Sequence, residues 1–154
     1  MSLPPPAPAP VTEKTFTNFT PSQGANYAQN RGGYHPTLYK TILSHHTSTG
    51  GQLTALLDIG CGPGTVARAL APHFQHVVGL DPSDGMIQNA RSLGGTSGSG
   101  DKIRYEISSA EELGSHLEPR IEEGSVDLIT AATAAHCKGS LHKNCHLFSS
   151  FLVL

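Results

Sequence analysis

The chain has 154 residues, 37% of them hydrophobic, which suffices for one domain of ordinary size with a buried core. Its formal net charge of −2 comes from few charged residues, and no segment gathers the lysines and arginines that a phosphate backbone would require. Nucleic acid is therefore not a predicted partner. No stretch approaches the roughly 18 apolar residues of a membrane span, and no signal segment opens the sequence, so we expect neither membrane insertion nor secretion.

The three cysteines, Cys61, Cys137 and Cys145, lack the regular spacing of a disulfide framework. This usage is typical of a reducing compartment and predicts a cytoplasmic location. The nine histidines are scattered, and we predict no metal site. Cysteines and histidines between residues 136 and 146 include four zinc-ligand candidates, but their spacing fits no familiar zinc knuckle, so we interpret this segment as an exposed tail.

Residues 1–15 begin with a Pro- and Ala-rich run, which cannot bury enough apolar surface to offset the entropy of ordering it. They are predicted to be a disordered lead. A polar stretch at residues 23–33 separates this lead from a predicted helix at residues 36–46, where apolar residues recur at three- and four-residue steps. That helix is expected to pack one face on the main domain.

Four apolar segments predict strands, and helices alternate with them. The predicted strands are residues 53–60, 76–81, 102–109 and 126–132. The predicted helices are residues 65–72, residues 83–90 with Ser83 as the cap, and a short helix at residues 110–117, while a Gly/Ser-rich stretch at residues 94–100 predicts a flexible loop. This alternation predicts an α/β, doubly wound, Rossmann-like parallel sheet with helices on both faces, and the first strand is the best candidate for its centre.

The sequence DIGCGPG at residues 58–64 follows the first strand, where an open parallel sheet binds its ligand. A Cβ at Gly60 or Gly62 would fill the space that a closely approaching ligand needs. Asp81 lies 17 residues after Gly64, at the end of the second strand, where a carboxylate can accept hydrogen bonds from both hydroxyls of a ribose. An adenosine-containing ligand is indicated. A dinucleotide fingerprint starting at Gly60 would need glycine at position 65, and Thr65 therefore disfavours the nicotinamide alternative.

The segments LLDIGCGPGTVARALA and VVGLDPSDGMIQNAR together resemble the first two motifs of the class I S-adenosylmethionine-dependent methyltransferases. The stretch NYAQNRGGYHPTLYKTIL resembles the N-terminal lid of the subgroup that includes trans-aconitate methyltransferase, with Tyr27, Arg31 and Tyr34 at matching positions. The resemblance implies S-adenosyl-L-methionine as cofactor and a small-molecule substrate, in this subgroup a carboxylic acid. The cofactor-binding residues that it implies are Tyr27, Arg31, Asp58, Gly60, Cys61, Gly62, Gly64, Asp81, Met86, Ser109 and Ala110.

One position departs from the family pattern. Many relatives carry an acid where Ser109 stands, and a hydroxyl accepts less strongly from the adenine amino group, so adenine recognition is expected to be weaker or left to backbone groups. We assign no catalytic acid or base, because methyl transfer from a sulfonium depends chiefly on alignment and desolvation. Asp58 is expected to hold the loop or to meet the amino group of the ligand through water, and Cys61 to fill the turn.

The resemblance covers residues 16–136, which we predict to be the methyltransferase domain, whereas the family normally continues with three more strands and the substrate pocket. We therefore expect a truncated chain with about four of the usual seven strands and a non-family tail at residues 137–154. The fourth strand would then lie at an exposed edge, which the apolar residues 148–154 either cover as a makeshift strand or leave unpaired. An active methyltransferase and a cofactor-binding fragment without turnover both remain open, as do the methyl acceptor and the oligomeric state.

Overall fold

The computed structural model describes residues 20–30, 32–131 and 151–153 of the chain. Two helices precede a sheet whose strands alternate with further helices and turns. The elements in chain order are α1 (Pro21–Asn30), α2 (Pro36–Ser48), β1 (Ala55–Ile59), α3 (Thr65–Leu70) with a 3₁₀ turn (Ala71–His73), β2 (His76–Asp81), α4 (Asp84–Leu93), β3 (Arg104–Ile107), β4 (Leu128–Ala131) and β5 (Phe151–Val153).

Within the described ranges the sheet has five strands in the order β3-β2-β1-β4-β5, and every pair is parallel. The chain leaves β1 first toward β2 and β3, and later returns to the other side of β1 as β4. The order of the strands therefore reverses at β1, and the crevice beyond its carboxyl end is where open α/β sheets bind ligands. The predicted parallel α/β sheet, with its first strand at the centre, is confirmed.

β1 is buried on both faces, as its continuous apolar run predicted. Leu56 belongs to a core cluster that includes residues of α2, α3 and α4, and Leu57 belongs to a second cluster on the opposite face. Adjacent residues of a strand point to opposite faces, so these two leucines join the cores above and below the sheet. The segment at residues 108–126 covers the second face through residues that include Leu117 and Val126.

The predicted short helix at residues 110–117 is wrong, because the structure has turns there. The Ser109 hydroxyl accepts from the Glu112 amide at 3.2 Å, and the Glu112 carboxylate accepts from the Ser109 amide at the same distance. This reciprocal pair begins a turn as a capping box begins a helix, but Leu113 and Gly114 then take positive φ of 46° and 71°. Two left-handed residues in succession stop a helix from propagating.

The predicted flexible loop at residues 94–100 is irregular in structure but held by hydrogen bonds. The Gly98 amide donates to the carbonyl oxygens of Ala71 and Phe74, at 3.0 and 2.7 Å, and Ser97 is buried. A glycine- and serine-rich composition therefore does not leave this loop unstructured, because the Gly98 amide binds carbonyls at the first residue of the 3₁₀ turn and at the residue that follows the turn. A second correction concerns residues 23–33. Their polar composition suggested no helix or strand, but most of helix α1 lies there. α1 packs on α4.

β5 pairs in parallel with β4, with Ile129 opposite Phe151 and Ala131 opposite Val153. Of the two possibilities left open for residues 148–154, the structure shows the covering strand. The remainder of the predicted tail, including the zinc-ligand candidates between residues 136 and 146, lies outside the described residues, as does the predicted disordered lead. No helix in the described ranges is long and apolar enough to span a bilayer.

The start of β1 is held by one carboxylate from the loop before β4. Asp127 Oδ2 accepts from the amides of Thr54 and Ala55, at 2.8 and 2.9 Å. We predict that Asp127→Ala lowers the free energy of unfolding by about 2 kcal/mol, because two amides lose a charged acceptor. Urea unfolding measures this, with the exposed Asp101→Ala as control, whose cost we expect within about 0.5 kcal/mol. Equal losses in the two variants would contradict the prediction.

Candidate functional site

The glycine loop, residues 60–64, joins β1 to α3 at the carboxyl edge of the sheet. Its sharp bend uses positive φ at Gly60, Gly62 and Gly64, of 64°, 54° and 80°. These conformations are strained for residues with a Cβ, so the glycines fix the path of the loop. At Gly62 an added Cβ would meet nothing within 4 Å, whereas at Gly64 it would lie 2.5 Å from the hydroxyl oxygen of Tyr105. The loop thus faces open space at Gly62 and rests on a packed aromatic ring at Gly64.

The Asp81 carboxylate connects the glycine loop to the end of β2. Its Oδ2 accepts from the Gly62 amide at 2.9 Å, and its Oδ1 accepts from the Ser83 amide at 2.9 Å. Burial raises the pKa of Asp81, and these two N–H donors offset part of that rise. The glycine loop and Asp81, which lie 17 or more residues apart in the sequence, are therefore in direct contact. We call the space bordered by the glycine loop and Asp81 the bay.

Two side chains support the glycine loop from below. Arg68 donates from its guanidinium to the Pro63 carbonyl at 2.5 Å, and the Tyr105 ring lies under both Gly64 and Gly79. Burial raises the pKa of Tyr105 to about 12, so its phenol stays neutral and its hydroxyl donates to the Gly94 carbonyl at 3.4 Å. The loop therefore has a firm base that includes a residue from α3 and one from β3.

Asp58 lies at the switch point of the sheet, opposite Thr130 in the register of β1 with β4. The side chain is 1% exposed, and its Oδ1 accepts from the Thr130 hydroxyl at 2.7 Å. Within the described part of the chain its Oδ2 has no hydrogen-bond partner. Burial raises the pKa of Asp58 to about 7, with a further upward contribution from the charge of Asp81, while the Thr130 hydroxyl and the Ala67 amide lower it in part.

Cys61 and Met86 have buried side chains. The Cys61 thiol donates to the Gly62 carbonyl at 3.6 Å, and its sulfur would lie 3.0 Å from a Cβ on Gly79, so it packs into the first core cluster. Burial raises the pKa of this thiol well above its ordinary value, which disfavours a nucleophilic thiolate. Met86 lies in the first turn of α4, and its amide donates to the capping hydroxyl of Ser83.

Ser109 and Ala110 follow β3, whose last residue, Ile107, pairs with Asp81. The structure thus brings the third predicted segment to the edge that carries the bay. The Ser109 hydroxyl accepts a hydrogen bond from the Glu112 amide, and Ala110 packs against the second core cluster. Arg31 and the side chain of Tyr27 lie outside the described residues, so their predicted contacts with the cofactor stay predictions.

One residue near the loop was missed by the sequence interpretation. Tyr39, on α2, has a buried hydroxyl that finds no hydrogen-bond partner among the described residues. In the sequence it looked like one of the apolar or aromatic positions with which α2 packs on the domain, and its ring does pack against the first core cluster. Its hydroxyl is the only signal that could have marked it, since a buried phenol oxygen needs a partner.

The family model described as a methyltransferase domain matches residues 56–148. This chain belongs to that methyltransferase family. It is 35% identical over 130 residues to a putative methyltransferase of Dictyostelium discoideum, covering 84% of this chain and 43% of the relative. It is 32% identical over 127 residues to a probable S-adenosylmethionine-dependent methyltransferase of Saccharomyces cerevisiae, covering 82% and 40%. The chain thus spans about two fifths of the length of these relatives.

Solved methyltransferase structures share the fold. An S-adenosylmethionine-dependent methyltransferase from Clostridium acetobutylicum superposes with a TM-score of 0.58 at 20% identity, over 75% of this chain and 48% of that one. Magnesium protoporphyrin IX methyltransferase from Synechocystis, with bound S-adenosylhomocysteine, gives a TM-score of 0.58 at 14% identity, over 86% and 65%. S-adenosylmethionine is the cofactor of the family to which the chain belongs. Among the described residues of this methyltransferase domain, no group of three His, Cys, Asp or Glu side chains could hold a metal ion.

The Tyr105 ring beneath Gly64 makes that position the least tolerant of a side chain in the glycine loop. We predict that Gly64→Ala lowers the free energy of unfolding by about 3 kcal/mol, because the methyl group meets the ring as well as an unfavourable φ. Gly124→Ala is the control, since Gly124 has φ of 74° with open space around it, and we expect it to cost about 1 kcal/mol. Chemical unfolding of both variants measures the difference in unfolding free energy. Equal losses in the two variants would show that the Tyr105 ring moves aside without an energetic cost.

The raised pKa of Asp58 predicts a pH dependence of stability. Its carboxyl ionises near 3.8 when exposed and at about 7 in the fold, so the folded state binds the extra proton between these values. Its contribution therefore destabilises the fold progressively as pH rises from about 4 to about 7. Asp58→Asn removes this loss of stability, because the asparagine does not ionise, and its amide oxygen can still accept from the Thr130 hydroxyl. We expect this variant to be more stable than the parent at pH 8 by roughly 1–3 kcal/mol, and by less at pH 5.

Urea unfolding of parent and variant at both pH values checks this prediction. Asp81, whose pKa is also raised, is present in both proteins, and its titration differs between them only through its interaction with Asp58. A gain that is the same at pH 5 and pH 8 would mean that Asp58 does not titrate between them.

Proposed function

We propose that this chain binds S-adenosyl-L-methionine in the bay, with Asp81 on the ribose and the glycine loop along the rest of the ligand. The contact between the Asp81 carboxylate and the Gly62 amide carries this proposal, because it fixes one acceptor and one open backbone surface side by side. Each carboxylate oxygen of Asp81 uses one lone pair on a backbone amide and retains another for a ribose hydroxyl.

The residues around the bay fit such a ligand. Open space at Gly62 admits close approach of a bound molecule to the backbone, and the unpartnered Oδ2 of Asp58 supplies an acceptor at the start of the loop. Ser109 and Ala110 would border the adenine, where recognition would be left to backbone groups or to the weaker Ser109 hydroxyl, which keeps one lone pair beside its bond to the Glu112 amide. Tyr27 and Arg31 would cover the ligand as a lid, Met86 would support the adenosine from α4, and Cys61 would contribute its backbone. When bound, the cofactor supplies a methyl group on a sulfonium.

We further propose that the methyltransferase acts on a small molecule, a carboxylic acid of the kind methylated in the trans-aconitate methyltransferase subgroup. The support is the resemblance of residues 26–43 to the lid of that subgroup, with an arginine at position 31 able to pair with a carboxylate. We assign the methyltransferase domain to residues 16–136. The irregularly spaced cysteines, of which Cys61 is free, support a cytoplasmic location.

Calorimetric titration with S-adenosylhomocysteine tests the cofactor site. We predict saturable binding to the parent chain and at least a tenfold loss of affinity in Gly62→Ala, because its methyl group enters the bay. Gly50→Ala is the matched control, since Gly50 also has a positive φ and open surroundings but lies before the amino end of β1. Both variants are expected to lose about 1 kcal/mol of stability, and only the first is expected to lose affinity. Equal affinity of the two variants for S-adenosylhomocysteine would show that the glycine loop does not contact the ligand.

Labelled S-adenosylmethionine with trans-aconitate tests turnover in the same preparation. Methyl transfer to the acid supports an active enzyme, whereas saturable binding without transfer supports a cofactor-binding fragment. A parallel titration with NAD separates both from the nicotinamide-binding alternative, which predicts tighter binding of NAD than of S-adenosylhomocysteine.

A further inference from the structure

β3 forms one edge of the sheet, because β2 is the only strand that pairs with it among the described residues. The Ser108 amide, just after β3, donates to the Asp81 carbonyl at the end of β2. Alternate residues of a parallel ladder bond to the same neighbour, so the peptide groups of Tyr105 and Ile107, and of Ile103 before the strand, face away from β2. A row of outward-facing amides and carbonyls is a template for pairing with a further strand.

Arg91 on α4 covers the middle of this edge. Its guanidinium donates twice to the Tyr105 carbonyl, from Nε at 2.9 Å and from Nη2 at 2.7 Å, and it also pairs with the Glu106 carboxylate at 2.8 Å. The loop after α4 covers the start of the edge, where the Gly95 carbonyl accepts from the Ile103 amide at 3.1 Å. An approaching strand would therefore meet these groups instead of free backbone.

His116 covers the end of the same edge from the other face of the sheet. Its Nε2 lies 3.1 Å from the Ile107 carbonyl oxygen, and because a carbonyl only accepts, the ring donates from this nitrogen. Arg104 fastens the turns that carry His116 to β3, since its guanidinium donates to the carbonyls of Pro119 and Glu118 at 2.7 and 3.3 Å. α4 packs on one face of the sheet and these turns on the other, so the edge is covered from both sides.

The composition of β3 does not by itself prevent pairing. Tyr105 and Ile107 are residue types that favour strands, and Ile107 is 41% exposed. Arg104 and Glu106 form an ion pair at 3.1 Å, so the strand carries no net charge with which to repel a copy of itself. With Tyr105 of one copy opposite Ile107 of another, two-fold antiparallel pairing would use the amide and the carbonyl of both residues. The Glu106 side chains of the two copies would then lie opposite each other, each beside its own Arg104.

We propose that Arg91 and His116 prevent β3 from pairing with the β3 strand of a second copy of this chain. Such a pair needs the carbonyls of Tyr105 and Ile107 as acceptors, and these two side chains already donate to them. Removing both side chains would free both carbonyls and uncover the edge on both faces of the sheet. The proposed function plays no part in this role, because it requires no contact with a cofactor.

Sedimentation velocity of the full chain over a range of concentrations measures self-association. We expect the double variant Arg91→Ala with His116→Ala to self-associate at least tenfold more strongly than the parent chain, because two backbone acceptors are freed. The double variant Arg120→Ala with His73→Ala is the matched control, since it also removes one exposed arginine and one exposed histidine but leaves the contacts of β3 intact. It is expected to stay within about twofold of the parent. Equal self-association of the two double variants would overturn the inference.

Hydrogen exchange locates the contact between copies. In the first double variant the amides of Tyr105 and Ile107 are expected to gain protection as the protein concentration rises, and association without that protection would overturn the inference. Circular dichroism checks that the variant folds. If it does not, His116→Ala alone takes its place, because this exposed side chain belongs to the turns and not to the sheet. At least threefold stronger self-association than the parent is then expected, and no increase would equally overturn the inference.

Discussion

The contact between the Asp81 carboxylate and the Gly62 amide organises the rest of the site. It joins the ends of two adjacent parallel strands through a 2.9 Å hydrogen bond, with the same carboxylate also accepting from Ser83, whose hydroxyl caps α4. The Asp81 side chain therefore fixes the position of the glycine loop relative to β2 and the position at which α4 begins. Because the carboxylate is largely buried, displacing the loop would leave a charged group without its donors, which is far more costly than losing a surface hydrogen bond.

The second constraint is electrostatic. Asp58 and Asp81 are both buried at the carboxyl edge of neighbouring strands, and each has a raised pKa. Two carboxylates in a region of low polarity make the fold less stable than a neutral pair would, and under the proposed function they would accept hydrogen bonds from a cationic or hydroxyl-bearing ligand. Arg68 and Tyr105 beneath the glycine loop keep this edge of the sheet in place.

The sequence predicted the parts of this fold in which local pattern and tertiary role agree. The apolar run of β1 forms a buried central strand, and the loop glycines and Asp81 meet at its carboxyl edge, as their residue types and positions suggested. It failed where hydrogen bonds between distant segments decide the outcome, as in the loop that Gly98 anchors to Ala71 and Phe74. It also failed at residues 110–117, where a helix-like composition is interrupted by the left-handed Leu113 and Gly114. Tyr39 was missed because periodicity detects its packed ring and not its buried hydroxyl.

The residues proposed to bind the cofactor that the structure describes run from Asp58 at the end of β1 to Ala110 after β3, and β1, β2 and β3 are neighbours in the sheet. β4 pairs with β1 on its other side, where Thr130 donates to Asp58. The proposed cofactor residues therefore all precede β4 in the sequence. The fold is shared with a magnesium protoporphyrin IX methyltransferase at 14% identity, so it does not depend on close similarity of sequence. Under the proposed function, substitution of Gly62 would therefore test cofactor binding separately from turnover of an acceptor.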